Sequence, residues 1–126
     1  MTKTIMIVDD DSSVLVLIEI ILSRKGFSVI SADNAKKALS LLEKKVPDLF
    51  VLDIMMPGMN GIDLCQALRQ RPDTAATPIL ILSAWSDGDL VQRALTIGAN
   101  DYMQKTAMSA QMVQRVTALL EQAGMH

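Results

Sequence analysis

LFVLDIMMPGMNG, residues 49–61, joins a short apolar run to a single aspartate and then to a loop written in proline and glycine. No polar residue interrupts Leu49-Phe50-Val51-Leu52, which suits a strand buried on both faces. Asp53 stands where that strand ends, and Met56-Pro57-Gly58 with Asn60-Gly61 marks the turn beyond it. A helix is expected from Ile62 to about Arg71, stopped by Pro72.

The same unit recurs on either side. Ile5-Met6-Ile7-Val8 stops at Asp9-Asp10-Asp11, and a helix follows from about Ser12 to Lys25, ended by Gly26. Phe27-Ser28-Val29-Ile30 reads as a second strand, then a helix capped by Asp33 or Asn34 runs to about Lys45, before Pro47. Pro78-Ile79-Leu80-Ile81-Leu82 stops at Ser83, with a helix over Asp87–Ile97 closed by Gly98. Asp101-Tyr102-Met103 is a short fifth strand ending near Lys105, and a last helix covers about Ser109 to Gln122. Five apolar strands alternating with five helices imply an α/β fold, a parallel sheet with helices on both faces.

The bulk properties agree with one domain, residues 1–126, and a core that is aliphatic because aromatics make up only 3% of the chain. A net charge of −2, dispersed along the sequence, argues against direct binding of nucleic acid. The one cysteine, Cys65, permits no internal disulfide, and a reducing compartment is expected. The longest apolar-rich stretch, Val14–Leu22, is too short to span a bilayer, so no membrane insertion is expected and the chain reads as cytoplasmic.

Ligands of open parallel sheets gather at the carboxyl ends of the strands. Asp9 and Asp10, Asp53, Ser83 and Lys105 fall at four such ends. Three clustered carboxylates repel one another without a cation, and hard oxygen donors suit Mg²⁺. A carboxylate oxygen left free can attack phosphorus while an ammonium and a hydroxyl hold the phosphoryl oxygens. Taken singly, each residue has a plainer reading: Asp9–Asp11 as helix caps, Asp53 as a loop carboxylate, Ser83 as a turn residue, Lys105 as a solvated cation, Tyr102 as a half-buried strand aromatic. The ordered set outweighs those readings.

With these residues in place, the chain resembles, along its whole length, the receiver domain of two-component response regulators. The likeness rests on Asp9-Asp10, on Asp53 with Met56-Pro57-Gly58 and Gly61, on Ser83, and on Tyr102 with Lys105 after Gly98-Ala99-Asn100. It implies a doubly wound, flavodoxin-like five-stranded sheet of order 2-1-3-4-5 with five helices. It implies that Asp53 is the phospho-acceptor, that Asp10, Asp53 and the backbone carbonyl of Met55 bind Mg²⁺, and that Asp9 holds a metal-bound water. It implies that Lys105 and Ser83 contact the phosphoryl group, with Ser83 and Tyr102 moving as a switch. The partners implied are a histidine kinase or histidine phosphotransfer protein and a downstream target protein, with a homodimer possible. The chemistry is performed on the chain itself rather than on outside substrates, and the chain reads as a stand-alone receiver or one cut from a longer regulator. The rival readings are a phosphorylation-independent interaction module with the same fold, and a small hydrolase using Asp53 as nucleophile. The second would need a substrate cap or a further acid/base.

Three features depart from the usual pattern or add to it. Thr106 follows Lys105 where the family usually has proline; a cis bond before a non-proline residue costs about 3–4 kcal/mol, so a trans bond is expected, a change that can move Lys105 or loosen its loop, with Lys105 still kept in the site. Met55 and Trp85 lie two residues beyond Asp53 and Ser83, and such apolar groups are expected to shield the acyl phosphate from water and slow its loss. The first helix is apolar on more than one side. Val14, Leu17, Ile18, Ile21 and Leu22 are expected to face the core, leaving Leu15, Val16 and Ile20 at least partly exposed to dock the histidine-bearing partner.

Overall fold

The computed structural model describes residues 2–84 and 86–124. Its strands are β1 (Thr4–Val8), β2 (Ser28–Ala32), β3 (Leu49–Asp53), β4 (Ile79–Ser83) and β5 (Asp101–Gln104). Its helices are α1 (Ser12–Ser23), α2 (Ala35–Leu41), α3 (Gly61–Gln70), α4 (Gly88–Ile97) and α5 (Met108–Ala123), the last preceded by a single 3₁₀ turn, Lys105–Ala107. All strand pairs are parallel and the order is β2-β1-β3-β4-β5. This is the doubly wound arrangement expected.

β1, β3 and β4 are buried at every position, which is why they are wholly apolar through their centres. The two-residue alternation divides their side chains between two cores. Met6, Val8, Phe50, Leu52, Ile79 and Ile81 face α2, α3 and α4. Ile5, Ile7, Leu49, Val51, Leu80 and Leu82 face α1 and α5. Each fully buried aliphatic side chain of this kind contributes about 1.5–3 kcal/mol. Three side chains cap helix starts: Asp11 accepts from the Ser13 N–H (2.9 Å), Asn34 from Lys37 (2.8 Å) and Asn60 from Asp63 (2.9 Å). Each cap is worth about 1 kcal/mol.

The structure corrects the face assigned to α1. Leu15 is buried at 9% exposure, in line with Ile18 and Leu22, whereas Leu17 is 39% exposed. Leu15, Ile18 and Leu22 stand at i, i+3 and i+7 and form the stripe that packs onto the sheet. The exposed apolar stripe is therefore Val16, Leu17 and Ile20. Both candidate stripes are apolar, so composition could not choose between them; packing against β1 and α5 did.

Element boundaries also shift, and α1 ends at Ser23 rather than near Lys25. β2 runs to Ala32 rather than stopping at Ile30, because an edge strand tolerates Ser31. α2 ends at Leu41, and the backbone turns through residues 42–44 rather than continuing to Lys45. Among the described residues, no helix is long and apolar enough to cross a membrane.

Candidate functional site

The sheet register brings the predicted groups to one edge. Val8 pairs with both Ala32 and Leu52, so Asp9 leaves β1 beside Asp53 at the end of β3. The Asp9 N–H donates to the Ala32 carbonyl (3.1 Å) and the Ile54 N–H to the Leu82 carbonyl (3.0 Å), which fixes where the chain departs from each strand. Ser83 follows Leu82, the register partner of Asp53, and Gln104 pairs with Ser83 so that Lys105 emerges beside it.

One carboxylate oxygen from each of Asp9, Asp10 and Asp53 lies within 4.8 Å of the other two. Asp9 and Asp53 are buried and Asp10 is exposed, so the cluster has two walls and one open side. The Lys105 ammonium sits 3.1 Å from Asp9 Oδ2 and 3.2 Å from Asp53 Oδ2. Asp11 N–H donates to Asp9 Oδ1 (2.9 Å) and Met55 N–H to Asp53 Oδ1 (3.2 Å). Those bonds aim both carboxylates inward.

The electrostatics follow from this crowding. Burial, reinforced by the negative charge of Asp9, pushes the Asp53 carboxyl from 3.8 up to about 7, against the pull of Lys105 and of the Met55 N–H. Burial also works against the Lys105 charge, yet the adjacent Asp9 and Asp53 carboxylates more than offset it and raise its pKa.

The residues fit a divalent cation. Asp9 Oδ2 and Asp53 Oδ2 are buried, and although Lys105 lies at ion-pair distance, neither has an aligned hydrogen-bond donor. One ammonium faces three carboxylates, which leaves a charge deficit that a hard, oxygen-seeking dication satisfies.

The Lys105–Thr106 bond is trans, since the described backbone has no cis peptide. Lys105 stands in the cluster, where the sequence reading kept it, and Thr106 does not displace it. The 3₁₀ turn that begins at Lys105 holds the residue in place, with the Met108 N–H bonded to the Lys105 carbonyl. Met55 is exposed beside the site; Trp85 lies outside the described residues. Tyr102, on the edge strand β5, is 44% exposed and points away from the core that Met103 enters.

Two residues carry more than the sequence suggested. Gly61 begins α3 directly against β3: a β-carbon there would overlap the Asp53 carbonyl oxygen and lie 2.8 Å from the Ile54 Cα. Its N–H closes the loop by donating to the Ile54 carbonyl (3.1 Å). Asp87 reaches back across the β4–α4 turn, its Oδ2 accepting from the Ala84 N–H at 2.7 Å. The first was visible only as a glycine in a turn motif, the second only as a helix start.

Comparison with known proteins agrees with the geometry. A family model described as the response regulator receiver domain matches residues 5–117. The chain is 37% identical over 123 residues to the phosphate regulon transcriptional regulatory protein PhoB of Rhizobium meliloti, covering 98% of this chain and 54% of that protein. It is 38% identical to the alkaline phosphatase synthesis transcriptional regulatory protein PhoP of Bacillus subtilis, covering 98% and 50%. The chain thus spans about half the length of these relatives. Among solved structures, the signal receiver domain of a signal transduction histidine kinase from Syntrophus aciditrophicus superposes with a TM-score of 0.87 at 31% identity, covering 95% of this chain and 91% of that one.

Proposed function

We propose, given that the chain belongs to the response regulator receiver family, that it is a switch driven by transfer of a phosphoryl group from a phosphohistidine to Asp53. The donor is a histidine kinase or a histidine phosphotransfer protein. The observation that carries this reading is the meeting of Asp9, Asp10, Asp53 and Lys105 at one strand edge, with buried carboxylate oxygens left unsatisfied.

Asp10 and Asp53 would hold Mg²⁺ with the Met55 carbonyl, and Asp9 through water. When bound, the ion supplies the positive charge that lets an anionic phosphoryl group approach three carboxylates. The Asp53 oxygen not engaged by the Met55 N–H is the nucleophile. It forms the O–P bond as the N–P bond of the donor breaks, and the electron pair returns to the imidazole nitrogen. Lys105, already 3.2 Å from Asp53 Oδ2, is placed to follow the charge onto the phosphoryl oxygens.

Ser83 and Tyr102 are the moving parts of this reading. A cavity of about 170 Å³ lies between them, lined also by Ala84 and Val91. Ser83 closing on the phosphoryl group leaves room for the Tyr102 ring to turn inward. The change in that surface is what a downstream target protein, or a second copy of the chain, would read.

Intact-mass measurement after acetyl phosphate and Mg²⁺ tests the acceptor. The wild type is expected to gain one phosphoryl group and Asp53→Asn none. Equal labelling of the two, or none of either, would remove the assignment and leave an interaction module that works without phosphorylation.

The exposed Val16-Leu17-Ile20 stripe of α1 is the proposed docking face for the histidine-bearing partner. Leu17→Asp and Ile20→Asp are expected to slow transfer from a phosphorylated histidine phosphotransfer domain by at least about tenfold, while acetyl phosphate labelling is unchanged. Leu15→Asp is expected to unfold the chain instead. Transfer at the wild-type rate in both exposed variants would place docking elsewhere.

A further inference from the structure

We infer that Asp87 is a positioning residue: a latch that holds the β4–α4 turn, and through it Ser83, in the resting arrangement. The inference rests on the reading of Asp53 as phospho-acceptor and extends it to a residue outside the cluster.

Asp87 occupies the N-cap position of α4 but does not cap that helix with its side chain. Its carboxylate instead turns back to the amide next after Ser83, accepting from the Ala84 N–H at 2.7 Å. The same pair is tied a second time, by the Asp87 N–H donating to the Ala84 carbonyl at 3.0 Å. One residue thereby closes both sides of the turn, and a charge-assisted bond is the stronger of the two. A helix start is also where a negative charge is favoured.

The opposite end of α4 is fixed by a different device. Arg69 of α3 donates through Nε to the Gly98 carbonyl (3.0 Å) and through Nη2 to Asn100 Oδ1 (2.9 Å). Its Nη1 reaches the Thr74 and Thr77 carbonyls at 3.0 and 2.7 Å. With its C-terminal end riveted there, α4 can respond to Ser83 only at its N-terminal end. That end rests on one buried side chain in its first turn, Val91, and on the Asp87–Ala84 tie. A shift of Ser83 toward Asp53 pulls on Ala84 and must break the tie. The tie therefore stabilises the resting state alone, and linkage requires that removing it favour whatever binds the switched state.

The test uses beryllofluoride with Mg²⁺ as the phosphoryl probe, titrated calorimetrically into the full chain. Asp87→Ala is expected to bind it roughly five- to tenfold more tightly than the wild type, and Asp87→Asn, which keeps a neutral acceptor, to fall between them. Damage to the fold at large would weaken the complex, because Asp9, Asp10, Asp53 and Lys105 must stay assembled to hold the probe, so a tighter complex is not produced by damage. Unchanged or weaker binding by Asp87→Ala, in a wild type that does take a phosphoryl group on Asp53, overturns the latch and leaves the acceptor standing. A wild type that takes no phosphoryl group overturns both.

Discussion

Gly61→Ala is expected to destabilise the protein by about 3–4 kcal/mol, nearly as much as Gly61→Val, and to abolish phosphoryl acceptance. The near equality is the informative part. The obstruction begins at the β-carbon, which would overlap the Asp53 carbonyl oxygen and crowd the Ile54 Cα at 2.8 Å. Both are main-chain atoms in or next to a central strand paired on each side, so they have little freedom to retreat. Relief would require α3 to lift from β3, which breaks the Gly61 N–H bond to Ile54 and moves the loop whose Met55 N–H orients Asp53. Gly88→Ala is the control. A β-carbon there meets nothing within 4 Å, and alanine in the first turn of α4 should stabilise by up to about 1 kcal/mol. Urea denaturation of the three variants checks the ordering. A Gly61→Ala protein as stable as the wild type would mean that β3 and α3 are less rigidly joined than this packing implies.

Asp53→Asn is expected to raise the stability of the metal-free protein above neutral pH while removing its stabilisation by Mg²⁺. The Asp53 carboxyl titrates near 7 in the folded chain and near 3.8 when exposed. Between those values the folded state binds more protons than the unfolded state, so folding stability falls as pH rises from about 4 to about 7 and stays reduced above it. Allowing for solvent on the open Asp10 side, the cost at pH 8 is on the order of 2 kcal/mol, or about 7 °C in melting temperature. The neutral amide carries no such cost, so the variant should melt higher than the wild type at pH 8 and close to it near pH 4. Millimolar Mg²⁺ at pH 8 should stabilise the wild type by offsetting the carboxylate repulsion and should leave the variant nearly unmoved. Thermal scans at the two pH values, with and without Mg²⁺, read all of this. A wild type whose melting point ignores Mg²⁺ would separate the acidic cluster from metal binding.

The exposed methionines of the site loop, Met55 and Met59, have no counterpart among the other described methionines, which are buried. Sequence position placed Met55 beside Asp53, but only the packed structure shows that its side chain lies on the surface while its N–H donates to Asp53 Oδ1. A residue can thus orient a neighbour through its backbone while its own side chain stays at the surface.

The alternation of strands and helices, and the residues that terminate them, were legible in the chain before any folding was considered. A strand buried on both faces must be apolar throughout, so the first polar residue after each run marks the sheet edge, and Asp9, Asp53 and Ser83 declared themselves in that way. The strand order came with the family resemblance, since spacing alone restricts a parallel topology without choosing it. Three matters waited for the packed molecule. The face of α1 depended on which of two apolar stripes met β1 and α5, and so Leu15 went inside and Leu17 outside. Lys105 kept its place despite Thr106 because two carboxylates attract its ammonium and a 3₁₀ turn holds its backbone. The close approach of Gly61 to Asp53 and the reach of Asp87 to Ala84 are distances between atoms. Local pattern sets what a residue prefers, whereas such distances exist only once separate segments have packed.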